Sequence, residues 1–197
     1  MSRQALRLVG VPVLTVVLGL LTPGVAKADD WSTMFHLVAG RRWLDKGSFP
    51  NVQPVSNFAF SATWGKQSQQ ILFATDLVYA NGKGTHDGVD LQAAFWELGL
   101  GLRKVWSSGK LAPYFGAGVL LMNTHLDQNT QRQRDRSTGF WIGAGAVVRM
   151  ADSHGHRFNL GADLRYSASR QVLLFGTRNT PSLQLGFVFG WENKFAK

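Results

Sequence analysis

The sequence predicts an all-β protein: a closed eight-stranded antiparallel up-and-down transmembrane β-barrel that follows a cleaved signal peptide. Three observations predict it. Eight segments alternate apolar and polar residues, the connections between them alternate long and short, and glycines and charges share the face opposite the large apolar residues. From Thr33 the connections run 46–55 (long), 65–69 (short), 80–90 (long), 106–110 (short), 123–138 (long), 151–157 (short) and 168–181 (long). A chain that crosses a membrane eight times and returns to its starting side has this rhythm, with short periplasmic turns and long outer loops.

The N-terminus reads as an export leader. Arg3 and Arg7 precede an apolar stretch from Leu8 to Leu21, and Ala26-Lys27-Ala28 supplies the small–x–small cleavage pattern. This assigns 1–28 to a signal peptide and 29–197 to one barrel domain. There is no cysteine, which excludes a disulfide framework, thiolate metal sites and thiol nucleophiles. Seven Trp, 13 Phe and 22 Gly beside 17% charged residues suit a β-rich chain with an apolar surface. No apolar stretch after the leader approaches the roughly 20 residues of a spanning helix, so a membrane would be crossed by strands.

Each segment follows from period-2 alternation. In the first, the weakest, Phe35, Leu37, Ala39 and Trp43 share a face with Arg41, opposite His36, Gly40 and Arg42. The second sets Phe58, Phe60, Ala62 and Trp64 against Asn57, Ala59, Ser61 and Thr63; the third sets Ile71, Phe73, Thr75, Leu77 and Tyr79 against Ala74 and Asp76. In the fourth, Ala94, Trp96, Leu98, Leu100 and Leu102 oppose Phe95, Glu97, Gly99, Gly101 and Arg103. The fifth opposes Phe115, Ala117, Val119 and Leu121 to Tyr114, Gly116 and Gly118. The sixth opposes Phe140, Ile142, Ala144, Ala146 and Val148 to Trp141, Gly143, Gly145 and Arg149. Phe158, Leu160, Ala162, Leu164 and Tyr166 then oppose Asn159, Gly161, Asp163 and Arg165, and Leu183, Leu185, Phe187, Phe189 and Trp191 oppose Gln184, Gly186, Gly190 and Glu192.

In a soluble lipocalin-like barrel the bulky face would be the interior. Glycine weakens a strand, so its confinement to one face needs a cause, and crowding in a narrow eight-stranded lumen supplies one. The bulky face is therefore assigned to lipid. The other face holds a lumen network of Arg42, Arg103, Arg149 and Arg165 against Asp76, Glu97, Asp163 and Glu192, since buried charges persist when paired. Such a lattice plugs the barrel. Trp43, Trp64, Trp96, Trp106, Tyr79, Tyr166 and Trp191 lie near segment ends, as interfacial girdles do.

With these features the chain resembles the small eight-stranded outer-membrane barrels of the OmpA/OmpX type and the opacity-like outer-membrane β-barrel group. The resemblance rests on Glu97-Leu-Gly-Leu-Gly-Leu-Arg-Lys104, Leu111-Ala-Pro-Tyr-Phe-Gly-Ala-Gly118, Trp141-Ile-Gly-Ala-Gly-Ala146, Gly161-Ala-Asp-Leu-Arg-Tyr-Ser167 and Leu185-Gly-Phe-Val-Phe189. It implies a Gram-negative outer membrane, insertion by the barrel-assembly machinery and no fixed activity, because members serve as structural barrels, adhesins, small-solute channels or lipid-modifying enzymes. The chain departs from the family's closing aromatic by ending Phe195-Ala-Lys197, which leaves Phe195 or Trp191 for that role.

Catalytic chemistry finds little support. His36 reads as a lumen residue near Arg42, and His86 and His125 as loop residues. Asp152, Ser153, His154 and His156 in the turn 151–157 form the one concentrated polar set. His-x-His can hold a metal and Ser, His and Asp can form a triad, but neighbours on a tight turn point apart. Lipid A deacylases of the PagL type carry a His-x-Ser-Asn phrase on a late strand, where this chain reads Tyr166-Ser-Ala-Ser and Leu185-Gly-Phe-Val; nothing matches the PagP type. No catalytic, metal or cofactor residue is assigned.

The outer loops are the better place for function. Arg132, Arg134 and Arg136 crowd the third, Arg170 and Arg178 mark the fourth, and guanidinium suits the phosphates of lipopolysaccharide, although Asp127 and Asp135 offset part of that charge. The net charge of +9 is dispersed and the chain exported, so nucleic acid is not an expected partner. The expected protein is a monomeric, non-enzymatic outer-membrane barrel with a charge-paired lumen and surface loops. A narrow solute channel, a lipid A-modifying enzyme and a periplasmic lipocalin-like binder are the competing readings.

Overall fold

Eight antiparallel strands close into a barrel in the computed structural model, which describes residues 31–46, 49, 52, 54–66, 69–86, 89–106, 109–128, 131–153, 156–173 and 176–194. The leader expected at 1–28, His154 and Phe195 lie outside these residues. In chain order the strands are β1 (Trp31–Leu44), β2 (Val55–Lys66), β3 (Ile71–His86), β4 (Val89–Val105), β5 (Leu111–Gln128), β6 (Gln131–Ser153), β7 (His156–Leu173) and β8 (Gly176–Lys194). Each pairs with its sequence neighbours, and β1 closes on β8 from Ser32↔Lys194 to Leu44↔Ser182. Closure leaves no strand edge within the barrel wall.

The strands outrun the lengths read from sequence. The β3–β4 ladder continues to His86↔Val89, β5–β6 to Gln128↔Gln131 and β7–β8 to Leu173↔Gly176. Three expected long loops, at 80–90, 123–138 and 168–181, are thus largely paired hairpins. Above the bilayer the outer face of a hairpin meets water instead of lipid, so the sequence loses the apolar half of its alternation while its backbone keeps its partners and inner positions such as Thr124 and Leu126 stay buried. The first outer connection, between Leu44 and Val55, is tied down at its described residues by Phe49 N–H to Asp45 O (2.9 Å) and by a Val52↔Gly84 bridge. At the opposite end Gly109 takes a φ of 83° in the β4–β5 turn, a conformation that glycine adopts without cost.

The faces divide as the alternation requires. Leu37, Phe58, Phe73, Leu100, Phe115, Ile142, Leu160 and Phe187, one from each strand, are exposed on the outer wall. Trp43, Tyr79, Trp96 and Tyr166 band the outer wall at one end, and Trp31, Trp64, Trp106 and Trp191 at the other. An apolar belt between two aromatic rings, wrapped around a closed sheet, is a lipid-facing surface.

The interior departs from the expected glycine-and-charge filling. Phe95, Leu91, Leu120, Met122, Leu126 and Trp141 are buried inside, with Phe49 dropping in from the first connection. Glycine makes this possible. A methyl group on Gly101 would meet Trp141 Cζ2 at 2.8 Å, and one on Gly116 would meet Trp141 Cη2 at 3.1 Å. The indole occupies the space that the missing side chains leave.

Candidate functional site: a filled lumen and an arginine-lined outer wall

Three kinds of packing fill the barrel axis. At the outer mouth Phe49 stands edge-on to Phe95, their ring centroids 5.2 Å apart, with Val55, Ala80, Ala93 and Leu126 around them. At the other end Val38, Ala112, Val147 and Val188 form a second apolar cluster with Tyr114. Between the two lies a belt of buried charge.

All eight residues expected in the lumen network lie on the inner face, and five of them join in four ion pairs that form two linked groups. Arg42 pairs with Glu97 and donates to Ser167 Oγ (3.1 Å) and Ser182 Oγ (2.7 Å). Asp76 accepts from Arg103 (3.1 Å) and from Arg165 (2.7 Å), while Arg165 reaches Glu97 at 3.8 Å and links the groups. Arg103 also donates to Ser61 Oγ (2.7 Å) and Thr63 Oγ1 (2.8 Å). Arg149 pairs with Glu192 (3.1 Å) nearer the short-turn end and donates to Gly109 O (3.0 Å), pinning the turn to the wall.

The remaining acid is held differently. Asp163 accepts a 2.8 Å hydrogen bond from Tyr114, a partner absent from the sequence reading. Trp141, which the alternation places on this face, is a second partner that the sequence reading did not supply. The Arg165 guanidinium lies 4.7 Å from its ring centroid, and that of Arg103 lies 5.9 Å away and 5.2 Å from Tyr114. An aromatic residue on a face otherwise rich in glycine was the available signal. His36 sits beside Tyr114, ring centroids 5.6 Å apart. It helps line a cavity of about 20 Å³ with Ser61, Asp76, Arg103, Tyr114 and Gln184, room for about one water.

The arginines expected at lipid phosphate stand on the outer wall, not in a loop. Arg132, Arg134 and Arg136 alternate along β6 on the lipid-side face, all exposed, in line with Phe140 and Ile142 below them. Across the ladder they face Asp127, His125 and Asn123 of β5. Arg132 Nε lies 3.4 Å from Asp127. Partial burial, and then the Arg134 charge, hold the His125 pKa below its ordinary value. Asp135 alternates to the other face. His156 of the expected polar turn is exposed and bonds through Nδ1 to Asn193 Oδ1 (2.6 Å). Among the described residues no cluster of three acids or histidines could hold a metal.

No protein-family model matches the chain, and no curated protein matches it. Solved structures do. Neisserial surface protein A is similar with a TM-score of 0.54 and 18% identity, over 84% of this chain and 97% of that one. The attachment invasion locus protein Ail of Yersinia pestis, in complex with the heparin analogue sucrose octasulfate, is similar with a TM-score of 0.54 and 10% identity, over 82% of this chain and 99% of that one. At such identities the likeness speaks to fold. With its closed eight-stranded sheet, lipid-facing belt and filled lumen, the chain has the fold of the small outer-membrane β-barrels of the OmpA/OmpX type.

Proposed function

We propose that the chain is a non-enzymatic barrel of the Gram-negative outer membrane, closed along its axis, which acts through its wall and outer hairpins in envelope structure or surface interaction. It works as a monomer after insertion by the barrel-assembly machinery. The observation that carries this reading is the filling of the lumen. An apolar plug at the mouth, the Arg42–Glu97 and Asp76–Arg103–Arg165 groups, and a second apolar cluster succeed one another along the axis. Each layer opposes permeation for its own reason: the first excludes water by packing, and the second holds charges that are costly to separate once buried.

Planar-bilayer recording of the refolded protein tests closure, with no steady conductance expected. Stable single-channel steps would overturn it in favour of a narrow solute channel. Mass spectrometry of lipid A from cells with and without the protein tests the non-enzymatic reading. Unchanged acylation is expected, and a lost acyl chain would assign a hydrolase.

A further inference from the structure

The arginines of β6 form a ladder along the outer wall. Arg136 lies four residues out from Phe140 along β6, and Arg134 and Arg132 follow at intervals of two. With about 3.3 Å per residue and a tilt of about 40°, they stand about 10, 15 and 20 Å above Phe140 along the membrane normal. The Phe140 ring lies tilted against Tyr166 of the outer aromatic band, ring centroids 6.1 Å apart, which places it at the edge of the hydrocarbon. The headgroup layer beyond is about 5–8 Å thick per leaflet, so the flexible arginines begin at its outer rim and climb into whatever sugars the leaflet carries.

The charge on this wall is barely offset. Arg170 of β7 adds a further exposed guanidinium, since Ser169 stands opposite Gly139 and places Arg170 next to the Thr138 position. Among the described residues, Asp127 is the one acid on the outer face of β5, β6 and β7 in these segments, and it pairs with Arg132; Asp90, the next, lies on β4 on the far side of β5. Arg134 faces His125 and Arg136 faces Asn123, neither of them an acid. Above Gly139, β6 pairs with β5 alone, which leaves the flank of the ladder toward β7 open to a ligand lying in the leaflet.

We propose that this ladder binds a phosphorylated glycolipid of the outer leaflet, with Arg134 and Arg136 as the principal phosphate contacts and Arg170 flanking them. The inference rests on the outer-membrane reading above. A lipid ligand follows from continuity: the same face of the same strand passes from Phe140 and Ile142 in hydrocarbon to guanidinium without turning into the mouth. Stacked phosphates follow from the spacing, because an arginine every two residues repeats at about 7 Å along the strand. Arginine meets phosphate with two parallel N–H donors.

The test uses the full barrel in phosphatidylcholine nanodiscs, titrated with native or with dephosphorylated lipopolysaccharide. The shift of the His125 imidazole, opposite Arg134, is the reporter. Native lipopolysaccharide is expected to move it saturably. Arg134→Gln with Arg136→Gln should weaken the apparent affinity about 25-fold, about fivefold for each charge lost near an anionic surface. Dephosphorylated lipopolysaccharide should bind wild type no better than native material binds the double variant. Equal affinity of wild type and variant, or of the two lipopolysaccharides, overturns the proposal. So does an equal shift from inorganic phosphate or a soluble acidic peptide without the lipid. Heat-dependent gel mobility and outer-membrane fractionation of both proteins keep the outcomes apart. A variant that fractionates normally but loses affinity speaks to the ladder, whereas a wild type absent from that fraction removes the membrane reading itself.

Discussion

Replacing Asp76 with asparagine removes the carboxylate shared by two buried guanidiniums, Arg103 at 3.1 Å and Arg165 at 2.7 Å. Breaking a buried pair typically costs about 3–5 kcal/mol, because an uncompensated charge stays behind. Here the lower end applies. Arg103 keeps its bonds to Ser61 and Thr63, and Arg165 keeps Glu97 at 3.8 Å and the Trp141 face at 4.7 Å. We expect Asp76→Asn to lose about 3 kcal/mol. With a urea slope of about 2 kcal/mol/M, the unfolding midpoint in lipid vesicles falls by about 1.5 M. Arg103→Met in the same background should recover part of that loss, because the stranded charge is removed with its partner. Tryptophan fluorescence and heat-dependent gel mobility follow the transition. The exposed Asp127–Arg132 pair provides the contrast, with Asp127→Asn costing less than about 1 kcal/mol. A loss below about 1 kcal/mol at Asp76, with Asp76→Asn and Arg103→Met additive within about 0.5 kcal/mol, would refute a dry, charge-locked lumen.

Three further outcomes test the faces, the mouth and the outer wall. Leu100 is exposed on β4, four residues from Trp96 and six from Trp106, so Leu100→Arg should destabilise the vesicle-inserted barrel by about 2–4 kcal/mol, measured by the same urea titration. The chain has no cysteine, so a single Leu126→Cys reports the mouth alone; Phe49→Ala should raise its labelling rate by a water-soluble maleimide at least tenfold, and no change would mean that Phe49 does not seal it. Removing the nearby charge with Arg134→Gln should raise the His125 pKa toward its ordinary value of 6.5 in an NMR titration. The sign is fixed, since Arg134 disfavours the imidazolium, and a fall would contradict the assigned proximity.

Much of the architecture was legible because the lipid–lumen boundary writes a strict period of two. From Phe58 to Trp64, or from Leu98 to Arg103, each residue's type states its face. The lumen acids and arginines were legible for the same reason: charge on the lipid side is excluded in depth. Two things escaped. Above the membrane the outer face meets water instead of lipid, so hairpin segments such as Gln131–Thr138 read as loop although they are paired. Inside the lumen, volume decides rather than polarity. Trp141 belongs there because Gly99, Gly101 and Gly116 converge on it from two other strands, and Tyr114 finds Asp163 across the barrel. Those are distant matches that alternation within one strand cannot express. Phe49 carried a weak local signal, a lone aromatic in the polar run Lys46-Gly-Ser-Phe-Pro50.

The same division of labour bears on where this barrel can act. Each lumen layer is bound by constraints from several strands: Arg42 of β1 answers to Glu97 of β4, Ser167 of β7 and Ser182 of β8 at once. A change that opened a ligand site there would unseat partners on three walls. The outer hairpins carry no such burden. Arg134 and Arg136 meet only the facing strand, and their register is held by backbone pairing that any side chain permits. New recognition can therefore be written on the outer wall at little cost to the fold, while the buried charge network keeps the axis filled. That asymmetry, more than any single contact, is why the wall and hairpins are the functional surface proposed for this chain.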